Sequence, residues 1–172
     1  MTIRRACSDD ASRIAEIHVR SWQRAYQGLI PQAYLDGLDP VLREGRWSQA
    51  LTEADWSQGG TLVVADDGDV MLGFANAQAS RDEDADASVA EIWAIYVAPD
   101  AYGHGYGREL MAATLHYLAQ LAYAQVTLWV LDTNERARRF YEAAGFRADG
   151  AAKVDDSRGF PLREVRYRRP LP

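Results

Sequence analysis

The sequence is poor in cysteine and in long apolar runs, and each shortage excludes a class of protein. Cys7 is the single cysteine among the 172 residues, so no internal disulfide framework is available. No apolar run approaches the length that crosses a bilayer, and the first residues lack the apolar centre of a signal peptide. These observations predict a cytoplasmic protein that does not engage a membrane.

Positive charge and metal-ligating side chains are also scarce. The formal net charge is −6, and phosphate neutralisation needs a basic surface, so nucleic acid is not an expected partner. The three histidines, His18, His104 and His116, show no metal-ligand spacing with Cys7, and we expect no metal site. The chain has the length of one domain and a globular composition, 48% hydrophobic and 26% charged. We therefore expect a single domain over residues 1–172.

The periodicity of apolar residues predicts an alternation of strands and helices without repeats or linkers. The predicted order is a strand at 2–6, a helix containing Ile14, Ile17, His18 and Trp22, a second helical region over about 31–54, strands at 61–67, 71–78 and 90–97, a helix after residue 105, a strand at 125–131, a helix stopped by Gly145, and strands near 146–154 and 162–169. The segment DDGD (66–69) indicates a hairpin. This order predicts an α/β (α+β) fold with a mixed, largely antiparallel sheet flanked by about four helices.

The stretch YVAPDAYGHGYGREL (96–110) places three glycines between a strand and a helix. Unpaired N–H groups at a helix start and missing Cβ atoms make such a turn an anion site. A P-loop needs four residues between its glycines and then Gly-Lys-Ser/Thr, which this stretch lacks. A dinucleotide fingerprint fails in both registers, because its third glycine falls on Arg108 or Leu110. The third candidate ligand of this turn is the pyrophosphate of coenzyme A.

The segment EIWAIYVAPDAYGHGYGRELM resembles the acetyl-CoA-binding core of the GNAT superfamily of N-acyltransferases. A second segment, NERARRFYEAAGF, resembles the Asn-x-x-Ala-x-x-Phe-Tyr-x-x-x-Gly-Phe signature of the same superfamily, and HVRSWQRAYQGLIP is similar to the opening of many bacterial members. Together these segments span nearly the whole chain in the right order. The resemblance implies a GNAT-like fold and acetyl-CoA as co-substrate.

The resemblance also implies which residues bind the cofactor. The Ile95 amide is expected to face the acetyl oxygen, the Val97 amide the pantetheine arm, and Asn134 to bond that arm or simply to cap its helix. The cofactor-binding set is Ile95, Tyr96, Val97, Tyr102, Gly103, His104, Gly105, Tyr106, Gly107, Arg108, Asn134 and Tyr141. One position departs from the family pattern, because Tyr102 stands where Arg or Gln is usual, and this departure bears on cofactor affinity.

Acetyl transfer to an amine needs a base and a group that stabilises the leaving thiolate. Glu91 matches the position of the general-base glutamate in the histone-acetylating branch of the superfamily, and burial beside Trp93 or Trp129 would raise its pKa. The alternative is a solvated glutamate at a strand end. Tyr141 is expected to hydrogen-bond the departing sulfur, although an aromatic at this helical spacing also fits a core position.

The acceptor is expected to be a small-molecule or peptide amine, with Trp22, Tyr26 and Trp93 as candidate walls of its pocket. The acidic loop RDEDADAS (81–88) suits a cationic acceptor such as a polyamine, or a solvated loop without a role in binding. A non-catalytic acyl-CoA-binding or sensing module is the alternative function, and an acyl group longer than acetyl stays open. A homodimer is expected by analogy only.

Overall fold

The computed structural model describes residues 1–65 and 70–172 and contains seven strands and five α-helices in that part of the chain. The strands are β1 (Thr2–Arg5), β2 (Gly59–Ala65), β3 (Met71–Ala79), β4 (Val89–Val97), β5 (Gln125–Leu131), β6 (Arg147–Asp155) and β7 (Leu162–Pro170). The helices are α1 (Ala11–Ala25), α2 (Gln32–Asp36), α3 (Pro40–Thr52), α4 (Tyr106–Gln120) and α5 (Glu135–Ala143), with short 3-10 turns at Ser8–Asp10 and Pro99–Ala101. The predicted turn at 66–69 lies outside the described residues.

All seven strands form one sheet in the order β1-β2-β3-β4-β5-β7-β6. Only β4 and β5 pair in parallel, and the other neighbours are antiparallel. The expected mixed, largely antiparallel α/β fold is confirmed. In the described part of the chain, no helix has the length and hydropathy needed to cross a membrane.

The second helical region differs from the sequence expectation, because it consists of two helices. Gly37 follows the last residue of α2, and the Asp39 carboxylate accepts a hydrogen bond from the Val41 amide at 2.8 Å. Pro40 opens α3, where its missing N–H leaves no donor unpaired. An N-cap followed by proline starts a new helix, and residues 1–65 and 70–172 therefore contain five α-helices where about four were expected.

The two faces of the sheet bury separate cores. On one face α4 and α5 cover a cluster that includes Ile92, Met111, Leu118, Leu128, Phe146 and Tyr167. On the other face α1 covers a cluster that includes Ile14, Ile17, Val63, Phe74 and Ala94. The aromatic residues Trp22, Tyr26 and Tyr34 extend this second face towards the end of β5. The sheet thus separates a face covered by α4 and α5 from a face covered by α1.

The acidic loop before β4 is tied to the sheet by Arg166 on β7. The Arg166 side chain is 8% exposed and pairs with Asp82 at 3.1 Å, Asp84 at 2.6 Å and Asp149 at 2.7 Å. Asp82 also accepts a hydrogen bond from the Trp129 indole at 3.0 Å. Two of the four carboxylates in the loop therefore hold the loop in place.

Replacing this arginine tests the role of the ion-pair cluster in stability. We expect Arg166→Gln to lower the free energy of unfolding by about 3 kcal/mol, because the part-buried Asp82 loses its cation and Asp149 keeps only its pair with Arg168. Arg163→Gln is the matched control on the same strand, since Arg163 is 61% exposed and should change stability by less than about 1 kcal/mol. Urea unfolding measures both. Equal effects of the two variants would contradict this role.

Candidate active site

A cleft opens where β4 and β5 separate. The two strands pair only at Val89–Gln125, Ala90–Val126 and Glu91–Thr127, and then diverge. The cleft has a volume of about 770 Å³. It joins the C-terminal end of α1, the middle of β4 and β5, the turn at 101–105 and the first residues of α4 and α5. Residues distant in sequence therefore meet along one channel through the sheet.

A β-bulge at Trp93 sets which side chains of β4 face each side of the sheet. Asn76 pairs with Ala94 and Ala77 pairs with Ile92, so Trp93 is the extra residue. The bulge shifts the alternation of the strand, and Tyr96 joins Ala94 on the α1 face, while Ile92 packs on the α4 face. Glu91 and Tyr96 therefore share the α1 face although they lie an odd number of residues apart.

The backbone of β4 presents donors to the cleft. The Ala98 amide donates to the Leu72 carbonyl at 2.7 Å, on the side of β3. Because N–H groups alternate between the two sides of a strand, the amides of Val97 and Ile95 point away from β3. The Val97 carbonyl, which also points away from β3, accepts a hydrogen bond from the Ser21 hydroxyl at 3.0 Å. The two amides for which the sequence suggested a role thus face the cleft.

Two of the three glycines have a backbone conformation that favours glycine. Gly103 and Gly105 have φ of 84° and 86°, a conformation that residues with a Cβ adopt at a cost. At Gly107 a Cβ would lie 3.6 Å from both Phe140 and Val97, an ordinary van der Waals contact, so this position does not require glycine for packing. Within the described residues no backbone acceptor pairs with the amides of 103–107. The turn is therefore a cradle of free N–H groups at the positive end of α4.

Tyr102 and Arg136 form the outer wall of this cradle. The guanidinium carbon of Arg136 on α5 lies 4.4 Å from the centre of the Tyr102 ring, and both residues line the cleft. The family pattern has Arg or Gln at the position of Tyr102. Here a cation from α5 stacks on the tyrosine, in addition to Arg108 of α4, which also lines the cleft. Sequence reasoning missed Arg136, because Arg136, Arg138 and Arg139 together resemble a solvated helix face.

Asn134 and Tyr141 enter the cleft from α5. The Asn134 side chain accepts a hydrogen bond from the Ala137 amide at 3.1 Å, which confirms the predicted helix cap. Burial raises the pKa of Tyr141, so its hydroxyl stays protonated at neutral pH and is a hydrogen-bond donor. No group in the described part of the chain bonds this hydroxyl, whereas Tyr117 and Tyr123 each donate to a carbonyl. The Tyr141 hydroxyl is thus free to meet a ligand in the cleft.

Glu91 is buried rather than solvated, with 8% of its surface exposed. Burial raises its pKa above the ordinary glutamate value, while the Arg81 amide, 3.4 Å from Oε2, acts in the opposite direction. Glu91 is not among the residues that line the cleft, but its neighbours Ile92 and Trp93 are. The carboxylate therefore lies beside the cleft on the α1 face, with a pKa shifted towards that of a useful base.

The three aromatic residues assigned to the acceptor pocket take different places. Tyr26 and Trp93 line the cleft, and Trp22 lies behind Tyr96. The Trp22 indole donates to the Tyr96 hydroxyl at 2.9 Å, and the Trp22 and Tyr26 ring centres are 4.8 Å apart. The Trp93 indole N–H is buried and has no hydrogen-bond partner among the residues that the structure describes. Trp22 is therefore a support for the wall that Tyr26 and Tyr96 form.

Glu164 on β7 is a second part-buried carboxylate near the cleft, and sequence reasoning missed it. Burial raises its pKa, and Lys153 at 3.7 Å acts in the opposite direction. Its charge acts on the Tyr26 phenol, which lines the cleft. The sequence around Glu164 gives no signal for a functional residue, because only the register of β7 with β5 and β6 places it next to Leu131 and Lys153. The site thus has two candidate proton acceptors.

The comparisons with known proteins identify the family. The model of the acetyltransferase (GNAT) family matches residues 13–146. The N-acetyltransferase YuaI of Bacillus subtilis is 31% identical over 143 residues, which cover 83% of this chain and 78% of YuaI. The chain belongs to the GNAT family, and it is an acyltransferase. The family resemblance found in the sequence is confirmed.

Solved structures show the same fold. PaiA N-acetyltransferase from Thermoplasma acidophilum in complex with coenzyme A has a TM-score of 0.80 at 17% identity, over 99% of this chain and 98% of PaiA. A phosphinothricin acetyltransferase from Sinorhizobium meliloti in complex with AcCoA has a TM-score of 0.74 at 23% identity, over 99% of this chain and 88% of that enzyme. These likenesses show that the fold is shared over 99% of this chain.

His18, which stacks on Tyr96 at 5.0 Å, gives the site a test by pH. Burial lowers the pKa of His18 to about 3, and the charges of Arg43 and Arg158 act in the same direction. The unfolded chain binds a proton at His18 near pH 6.5, whereas the folded chain does not, so the free energy of unfolding falls as the pH drops below 6.5. Because of this group, we expect the free energy of unfolding to fall by about 2 kcal/mol from pH 7 to pH 5.

Urea unfolding of the wild type and His18→Gln at both pH values measures this contribution. The variant should lose less stability than the wild type on acidification, because it has no imidazole to protonate. His116→Gln, at an exposed position on α4, is the control and should keep the wild-type difference. An unchanged pH dependence in His18→Gln would show that His18 is not held neutral.

Proposed function

We propose that the protein transfers an acetyl group from acetyl-CoA to a primary amine by direct attack. The observation that carries this proposal is the single cleft that joins the free amides of 103–107, the inward amides of β4 and the unpartnered hydroxyl of Tyr141. The PaiA and phosphinothricin acetyltransferase structures, described as complexes with coenzyme A and AcCoA, support the same ligand here. We assign the pyrophosphate to the glycine turn and the pantetheine arm to the gap between β4 and β5.

The reaction forms a C–N bond and breaks a C–S bond. Glu91, directly or through water, accepts the proton that the ammonium group must lose, and Glu164 is the alternative acceptor. The neutral amine attacks the thioester carbonyl, and the Ile95 amide stabilises the charge that develops on its oxygen. Coenzyme A leaves as a thiolate that receives a hydrogen bond from Tyr141, and the second proton, which the nitrogen loses as the amide forms, finally protonates the sulfur. A phenol is a weaker acid than a thiol, so the hydrogen bond precedes full proton transfer.

Titration calorimetry with acetyl-CoA tests the cofactor, with NAD and ATP as controls. We expect micromolar binding of acetyl-CoA alone. Arg136→Gln should weaken this binding about tenfold, because the variant removes the cation beside the phosphate cradle. Arg139→Gln is the matched control on the exposed side of α5 and should bind as the wild type does. Absence of acetyl-CoA binding to the wild type would favour a repurposed fold over the enzyme.

Two substitutions test the chemistry in a free-thiol release assay with a responsive amine. Tyr141→Phe and Glu91→Gln should each lower kcat by about 10² while acetyl-CoA still binds. Tyr123→Phe is the control for a buried tyrosine away from the cleft, and Glu83→Gln is the control for an exposed glutamate of the acidic loop. Since burial raises the pKa of Glu91, the acidic limb of the pH profile should disappear in Glu91→Gln.

The same assay separates the rival assignments. If Glu164→Gln removes the acidic limb and Glu91→Gln keeps it, Glu164 is the base. If neither Tyr141→Phe nor Glu91→Gln slows transfer, the proposed mechanism is wrong although the family stands. A protein that binds acetyl-CoA and acetylates no amine would be the non-catalytic binding module that the sequence left as the alternative.

A further inference from the structure

Two arginines from different parts of the chain meet at Trp22. Arg43 on α3 has its guanidinium carbon 5.2 Å from the centre of the Trp22 ring. Arg158, in the turn between β6 and β7, has its guanidinium carbon 5.4 Å from the same centre. Both side chains are partly buried. Two cations thus share one aromatic platform on the α1 face of the sheet.

Arg43 has no carboxylate within ion-pair distance in the described part of the chain. Burial lowers its pKa, and the nearby charge of Arg158 acts in the same direction. Burial opposes the charge of Arg158, but its ion pair with Asp155 and the nearby charge of Glu164 together raise its pKa. His18, whose ring Nε2 is 3.2 Å from Arg43, stays neutral and supplies no negative charge. A part-buried cation without an anion is costly, and it marks a place where an anionic ligand would be stabilised.

The arginine pair is coupled to the cleft through Tyr96. Tyr96 lines the cleft, and its hydroxyl accepts the hydrogen bond from Trp22. Burial raises the pKa of Tyr96, and the charges of both Arg43 and Arg158 oppose that effect, so both lie within electrostatic reach of the phenol. Tyr26 also lowers the pKa of this phenol, and it lines the cleft. The pair therefore stands next to the cleft on the α1 face, away from α4 and its phosphate cradle.

We propose that the acceptor is an amine that also carries a carboxylate or a similar oxyanion, bound by Arg43 and Arg158 beside Trp22. This inference rests on the proposed acetyl transfer. Guanidinium groups match planar oxyanions with paired hydrogen bonds, and Arg43 offers a positive charge that no carboxylate in the described part of the chain already pairs with. Two of the four carboxylates in the acidic loop that suggested a polyamine are engaged by Arg166. The acceptor class is thus zwitterionic, as in amino acids.

Matched substrates test the acceptor class. Thiol release from acetyl-CoA is measured with the L-amino acids, each beside its own carboxamide, and with spermidine as a polycation. The wild type should prefer an acid over its amide by about tenfold or more in kcat/KM. Arg43→Gln and Arg158→Gln should each reduce that ratio by about tenfold. Arg46→Gln, at an exposed position on the same helix as Arg43, is the control and should keep the wild-type ratio.

Each outcome bears on the inference. A preference of the wild type for amides or spermidine overturns it, as does an acid-to-amide ratio that both arginine variants keep. If acetyl-CoA binds in calorimetry and no acid is acetylated, this inference fails and the cofactor assignment stands. If acetyl-CoA does not bind, the proposed function fails, and the acceptor class that rests on it fails with it. If Arg43→Gln does not fold, Arg158→Gln still tests the inference.

Discussion

The divergence of β4 from β5 is the constraint on which the rest of the site depends. Three residue pairs hold the strands in parallel, and beyond Glu91 the inner edge of β4 has no strand beside it. Backbone amides without a partner inside a protein are costly unless water or a ligand pairs with them. The opening therefore exposes donors on a rigid strand at a fixed spacing. The glycine turn continues this row of donors to the start of α4, and one extended ligand can satisfy both.

The sheet divides the cleft into two chemical environments. On the side of α4 and α5, free amides, a helix start and Arg136 favour phosphate, and Tyr141 adds a neutral hydroxyl. On the side of α1, Tyr26 and Tyr96 form an aromatic wall, with Glu91 and the arginine pair beside it. The bulge at Trp93 shapes the α1 side, because it turns Tyr96 to the same face as Glu91. Cofactor and acceptor would thus approach the reacting carbonyl from opposite faces.

Features fixed by neighbours in sequence were predictable, and features fixed by register were not. The glycine turn, the Asn134 cap and the order of strands follow from local residue types, so the sequence predicted the fold and most residues of the cleft. The bulge depends on how β3 and β4 align. The burial of Glu91 depends on that bulge and on the acidic loop (81–88) that precedes β4. Arg136, Glu164 and the Arg43–Arg158 pair lack any local signal, since their partners are distant in the chain. The anchoring of the acidic loop also has no local signal, because its cation, Arg166, lies on β7.

Backbone amide NMR during titration with acetyl-CoA tests the role of the strand divergence most directly. Saturating acetyl-CoA should shift the amides of Ile95 and Val97 together with those of Gly103, Gly105 and Gly107, and leave the amides of β1 unchanged. The three pairs at the base of the opening, from Val89 to Glu91 and from Gln125 to Thr127, should keep their hydrogen bonds. Shifts confined to the glycine turn, or to surfaces away from the gap between β4 and β5, would contradict the assignment of the cleft to the cofactor.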